Sequence, residues 1–218
     1  MASREEPIKL KVCGMRHPKN IADIVSMKSD YLGLIFYPES PRYVGNTLTS
    51  DEVKQIPNEV KKVGVFVNES VDKVASIVNE WELDYAQLHG GETREQCRLL
   101  KEQDVKIIKV FWISDDFDFD VLKAYEPYVD FFLFDTKGKH PGGNGETFNW
   151  DVLKNYNSIR PMFLSGGIGL EEAERLCERD DLNIHTIDVN SRFEIEPGMK
   201  DVDKIKKLKE VINKMNAN

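Results

Sequence analysis

Tyr31-Leu32-Gly33-Leu34-Ile35-Phe36-Tyr37 is an unbroken apolar run between Asp30 and Pro38. A short run with no polar alternation, closed by breakers, reads as a strand covered on both faces, as in a parallel sheet with helices outside it. Phe131-Phe132-Leu133-Phe134 repeats the pattern further along the chain. Working outward from these two, strands are expected at residues 8–13, 31–37, 62–67, 84–88, 105–111, 130–135, 161–164 and 184–189. Their starts lie 21 to 31 residues apart, the length of one strand, one helix and two short loops. Between them the apolar spacing is helical: Val71, Val74, Ala75 and Val78 share a face, as do Val202, Ile205, Leu208 and Ile212. Ser70 and Thr49 stand where helix N-caps belong. Eight such units without a break in composition predict an α/β fold, a single (β/α)8 TIM barrel over residues 1–218, with 1–7 as a flexible N-terminal extension. A doubly wound open sheet is the main competitor.

Composition bounds the function classes. Hydrophobic residues make up 40% of the 218 and charged residues 31%, which excludes a disordered or collagen-like chain. Thirty basic against 38 acidic residues give a net charge of −8. That surface repels a polyanion, so no nucleic-acid partner is expected, although a local pocket can still attract a small anion. Cys13, Cys97 and Cys177 are too scattered for a disulfide framework, and no CxxC or Cys/His cluster points to a metal. Reduced thiols and a cytoplasmic location are the expectation. The opening MASREEP has no apolar core of a secretory signal, and no apolar run nears the roughly 20 residues that span a bilayer, so no membrane association is expected.

In a barrel of this class the active site is built from the C-terminal ends of several strands. Those positions here carry Cys13-Gly14, the stiff Pro38–Tyr43 segment with Arg42, Asn68, Gln87-Leu88-His89-Gly90, Asp135-Thr136, Ser165-Gly166-Gly167 and Asp188-Val189-Asn190-Ser191-Arg192. Gly166 and Gly167, before a helix expected near Leu170, let backbone N–H groups approach an anion, and Asn190 and Ser191 add donors. Loops seven and eight form the usual phosphate site of the class. Other positions have two readings each. Cys13 is a buried filler or a reactive thiol. Asp135, after four apolar residues, caps its loop, pairs with a cation, or carries a raised pKa. Arg42 is a surface charge or a carboxylate clamp. His89 is a core histidine bonded to backbone or a catalytic group, and Asp188 is a satisfied carboxylate or a substrate contact. The glycine-rich stretch 137–147 is a surface loop or a lid.

Taken in order, Lys11-Val12-Cys13-Gly14-Met15, Phe36–Tyr43, Val63–Asn68, Gln87–Gly90, Asp135-Thr136, Gly142–Trp150, Leu164–Gly167 and Pro197-Gly198-Met199-Lys200-Asp201 form a specific set. With these motifs the chain closely resembles the phosphoribosylanthranilate isomerases of tryptophan biosynthesis, over roughly residues 8–212. The resemblance implies a (β/α)8 barrel and the third step of tryptophan synthesis from chorismate. That step is an Amadori rearrangement of N-(5-phosphoribosyl)anthranilate to 1-(2-carboxyphenylamino)-1-deoxyribulose 5-phosphate, without metal or organic cofactor. It implies Cys13 as general base, Asp135 as general acid, and Arg42 as the holder of the anthranilate carboxylate. Gln87, His89 and Asp188 are expected as substrate contacts, and Gly166, Gly167, Asn190 and Ser191 as phosphate contacts. The partner is a small phosphoribosyl substrate, and a monomer or a homodimer is expected. The chain departs from the family at Arg192, where many members have glycine, and a positive φ there would be strained. Two other readings compete. One is a different phosphosugar barrel enzyme, with Lys109 as the lysine an indole-forming synthase would need. The other is a non-catalytic phosphate-ligand binder on the same scaffold.

Overall fold

A computed structural model describes residues 6–45, 47–136 and 149–217. Eight strands close into a barrel in chain order: β1 (Lys9–Val12), β2 (Tyr31–Ile35), β3 (Lys61–Phe66), β4 (Tyr85–Leu88), β5 (Ile107–Ile113), β6 (Phe131–Thr136), β7 (Met162–Leu164) and β8 (Ile184–Val189). Every neighbouring pair is parallel, and β8 returns to β1 through Lys11 opposite Asp188. The open doubly wound alternative is thereby excluded. All eight expected strands are present, with ends displaced by a residue or two.

The outer layer consists of α1 (Pro18–Ser26), α2 (Ser50–Lys54), α3 (Val71–Glu80), α4 (Arg94–Lys101), α5 (Leu170–Leu176) and α6 (Val202–Ala217). Thr49 caps α2 in a reciprocal box with Glu52, and Ser70 accepts from the Lys73 N–H at the start of α3. Two units depart from the expected pattern. After β5 and after β6 the covering segments are 3₁₀ turns, Phe119–Ala124 and Trp150–Asn155. In each, buried residues fall three apart, Phe119 with Leu122 and Trp150 with Leu153, which suits three residues per turn. Pro127 also bars an α-helix from continuing past the first of them. A short hairpin, β9 (Glu194–Glu196) with β10 (Met199–Lys200), follows β8 and was not expected. Stretch 137–147 and residues 1–5 lie outside the described residues. Among the described residues no helix is long and apolar enough to cross a membrane.

The two faces of the strands make two cores. Outward residues pack under the helices in one continuous cluster. Inward residues, every second position along each strand, stack in layers along the axis. At the N-terminal mouth Tyr31, Phe131, Phe163 and His185 close the barrel with rings, with centroids 5.0 Å apart between Phe131 and Phe163 and between Phe131 and His185. Val63, Ile108, Val110 and Leu133 fill the layer above them. Cys13, Ile35 and Val65 form the last apolar layer, which floors the opposite mouth.

Candidate active site

A cavity of about 490 Å³ opens above that floor at the C-terminal mouth, a size suited to a small molecule. All ten expected site residues line the cavity.

Cys13 ends the inward row of β1 and is nearly buried. Its backbone N–H donates to the Val189 carbonyl at 2.9 Å. Gly33 on β2 makes room for the thiol, since a Cβ built there would lie 2.6 Å from Sγ. Lys11, two residues earlier on the same strand face, is completely buried and donates to both carboxylate oxygens of Asp188 at 3.0 Å. Burial pushes the Cys13 thiol up from its ordinary pKa, and the Lys11 and Lys200 ammonium groups pull in the opposite direction. Burial disfavours the Lys11 cation, yet Asp188 and the thiol outweigh it and raise its pKa.

Asp135 stands three strands from Cys13 around the ring, near the end of β6, with about one fifth of its side chain exposed. His89 Nε2 is 3.4 Å from its Oδ2. The Gln87 amide lies 2.9 Å from His89 Nδ1, so with that amide donating, Nδ1 accepts and Nε2 carries the hydrogen facing Asp135. The reading of His89 as a core histidine bonded to backbone is therefore corrected: its partners are side chains of the cavity wall. Gln87 Oε1 is buried with no hydrogen-bond partner among the described residues.

Arg42 enters from the loop after β2, pairing bidentately with Glu194 through Nε (2.9 Å to Oε1) and Nη2 (2.6 Å to Oε2). It is thus an ordered group of the cavity wall rather than a loose surface charge. At the far side Gly166 (φ 90°) and Gly167 (φ 66°) adopt the left-handed backbone that glycine permits, one turn before α5 begins at Leu170. Ser191 and Arg192 complete that side. Asn190 lines the cavity too, but its side-chain oxygen accepts from Lys200 at 2.7 Å. Arg192 lies in a 3₁₀ turn, Ser191–Phe193, and is not among the residues of positive φ, so the strain expected for it does not arise.

The sequence reading missed Lys11, Glu194 and Lys200, all buried charges at this mouth. A signal existed for the first: a lysine on the inward face of an apolar strand needs a carboxylate opposite it. Lys109 is also buried, but on the outward face of β5, in line with Leu88 and Phe132. Its ammonium is spent on Glu92 at 2.9 Å and on the carbonyls of Leu88 and Gly90, and it does not line the cavity. The synthase-like alternative loses its candidate acid.

Residues 10–211 match the model of the family described as N-(5'phosphoribosyl)anthranilate (PRA) isomerase. An N-(5'-phosphoribosyl)anthranilate isomerase of Parabacteroides distasonis is 41% identical over 198 residues, covering 90% of each chain. The crystal structure of phosphoribosyl anthranilate isomerase from Thermotoga maritima superimposes with a TM-score of 0.83 at 32% identity, covering 95% of this chain and 99% of that one. A second such isomerase, solved in complex with reduced 1-(o-carboxyphenylamino)-1-deoxyribulose 5-phosphate, gives 0.79 at 29% identity over 95% of this chain and 99% of its own. With the ordered strand-end motifs of this barrel and a family match spanning nearly its whole length, the chain belongs to the N-(5'-phosphoribosyl)anthranilate isomerase family.

Proposed function

We propose that the chain isomerises N-(5-phosphoribosyl)anthranilate by acid–base catalysis in which Cys13 is the base and Asp135 the acid. The observation that carries this is their placement on different sides of one cavity mouth, each beside a group suited to its task. Ring opening needs a proton on the ribose ring oxygen, and Asp135 supplies it. The bond from that oxygen to C1′ breaks, leaving an iminium that acidifies the proton on C2′. The Cys13 thiolate takes that proton, and the enolamine relaxes to the 1-amino-ketone. A thiolate is basic enough for this step, and the ammonium groups of Lys11 and Lys200 offset part of the burial that holds the Cys13 pKa above its ordinary value. Asp188 contacts the substrate from its seat on Lys11, and His89 and Gln87 line the Asp135 side.

Binding supplies the orientation. Arg42 receives the anthranilate carboxylate. Gly166, Gly167, Asn190 and Ser191 present backbone or hydroxyl donors to the phosphate, and Arg192 adds a cation to the same side. Fixing the substrate by its two anionic ends leaves the reacting carbons between acid and base. The reading carries with it a single-domain cytoplasmic enzyme, monomer or homodimer, acting on a small phosphoribosyl substrate. The test is purified chain supplied with phosphoribosylanthranilate, followed by loss of the substrate's fluorescence. Cys13→Ser and Asp135→Asn should each lose at least about 10²–10⁴-fold in kcat with circular dichroism unchanged. Wild-type turnover in either variant removes that residue from its role.

A further inference from the structure

The motif Pro197-Gly198-Met199-Lys200-Asp201 has no part in the acid–base steps, yet it builds the most densely charged buried node of the barrel mouth. It forms the turn and second strand of the β9–β10 hairpin. Gly198 takes φ 88°, and its N–H donates to Glu194 Oε1 at 3.0 Å. Lys200 Nζ, fully buried, bridges Glu194 Oε1 at 2.5 Å and Asn190 Oδ1 at 2.7 Å. Asp201 returns the chain to Phe193 through a backbone bond of 2.9 Å. The product of these contacts is a carboxylate, Glu194, that is 5% exposed and fixed from three directions.

What Glu194 holds is Arg42. It takes the side edge of the guanidinium, Nε and one hydrogen of Nη2. The guanidinium has five donors in a fixed fork, so the end edge, Nη1 with the second Nη2 hydrogen, remains for whatever enters the cavity that Arg42 lines. Gly14 clears the path of the stem: a Cβ there would lie 2.7 Å from Arg42 Cδ and 2.7 Å from Asn190 Oδ1. Two cations, Arg42 and Lys200, face one anion, so the node keeps one positive charge for an incoming carboxylate. Burial pushes Glu194 up, but the bonds from Arg42 and Lys200 outweigh it and leave its pKa below the ordinary value, so it stays ionised.

We infer that Glu194, seated by the β9–β10 hairpin, is the positioning residue that aims Arg42 and thereby selects a carboxylate ortho to the amino nitrogen of the aromatic ring. The inference deepens the proposed function and rests on Arg42 receiving that carboxylate. Its consequence is geometric selectivity rather than affinity. Removing the Glu194 charge raises the local positive potential for every anion alike, whereas losing the aim of the fork removes the preference for one ring position.

The experiment measures dissociation constants of reduced 1-(o-carboxyphenylamino)-1-deoxyribulose 5-phosphate and of its para-carboxy isomer, on the intact chain, by calorimetry. The ortho:para affinity ratio is the readout. Glu194→Gln is expected to reduce that ratio by about tenfold or more, the size of one charge-assisted hydrogen bond. Glu194→Asp keeps the charge but draws the carboxylate back by about 1.5 Å, and should also lower the ratio, which covers the case where the glutamine variant does not fold. Equal change for both isomers, or none, in both variants overturns the inference. Arg42→Ala separates the two failures. If it lowers the ratio and the Glu194 variants do not, the inference alone falls; if it leaves the ratio intact, the reading of Arg42 falls and takes the inference with it.

Discussion

Gly33→Ala places the proposed base under a direct mechanical test. The added Cβ would stand 2.6 Å from Cys13 Sγ, 2.9 Å from Cys13 Cα and 3.1 Å from Cys13 Cβ. Two of these are closer than any Cβ settles, and one is to backbone, so rotation of the thiol alone does not relieve them. Reaching the 3.4 Å of ordinary contact requires the sulfur to move from 2.6 Å, a displacement of about 0.8 Å. Gly33 lies mid-strand without a positive φ, so the substitution adds no dihedral strain and acts through space alone. Overpacking of this kind costs about 1–3 kcal/mol of stability. Misplacement of a reacting group by about 1 Å costs on the order of 10²-fold in rate. Gly33→Ala should therefore fold, lose a few degrees in Tm, and fall about a hundredfold in kcat with KM for phosphoribosylanthranilate nearly unchanged, since neither anionic end of the substrate is touched. Initial-rate fluorescence assays and a thermal melt give both numbers. A variant within about threefold of wild-type kcat would refute the reasoning, because a thiol that tolerates this intrusion is not the group whose position sets the rate.

Two further outcomes follow from buried charges away from the reacting atoms. His185, packed among aromatic rings at the closed mouth, is pushed down to about 4 by burial, with Lys9 adding to the effect. Its unfolded value is about 6.5, so between these two pH values the unfolded chain binds more protons than the folded one. Its contribution is complete above pH 6.5 and lost as the pH falls through 4, up to about 3 kcal/mol; His185→Phe should flatten that part of the stability–pH curve in urea melts, and an unchanged curve would contradict the assignment. Glu92→Gln leaves Lys109 buried without its anion and weakens the acceptor for the Asn68 and Gly90 N–H groups. A loss of about 3–5 kcal/mol, on the order of 10 °C in Tm for a chain of this size, is expected by calorimetry, and a shift under 2 °C, roughly half a kcal/mol on the same scale, would show the pair to be dispensable.

The barrel was legible because most of its strands announce themselves by composition: short apolar runs covered on both sides, recurring at a steady spacing through eight units, have few architectures open to them. The residues that line the mouth were legible for a related reason. A parallel barrel strand alternates inward and outward, so Lys11 and Cys13, Tyr31 and Gly33, and Gln87 and His89 each share the inward face, and a polar residue at the upper end of such a row can only enter the cavity. What the sequence did not disclose is how those groups are held. Asp188 reads identically whether it contacts a substrate or neutralises a lysine, and only ring closure, which sets β8 beside β1, brings it to Lys11. Arg42 and Glu194 lie 152 residues apart, with nothing local in either segment to foretell the pair. The same closure lets a chain of net negative charge gather cations at its barrel mouth. Lys11 points into the barrel and Lys200 is buried at its mouth, and each is paired there with a carboxylate. The sign of the net charge therefore does not decide the field inside the mouth, which is set by which buried cations their anions leave incompletely neutralised, of which Arg42 with Lys200 against the single Glu194 is the clearest case.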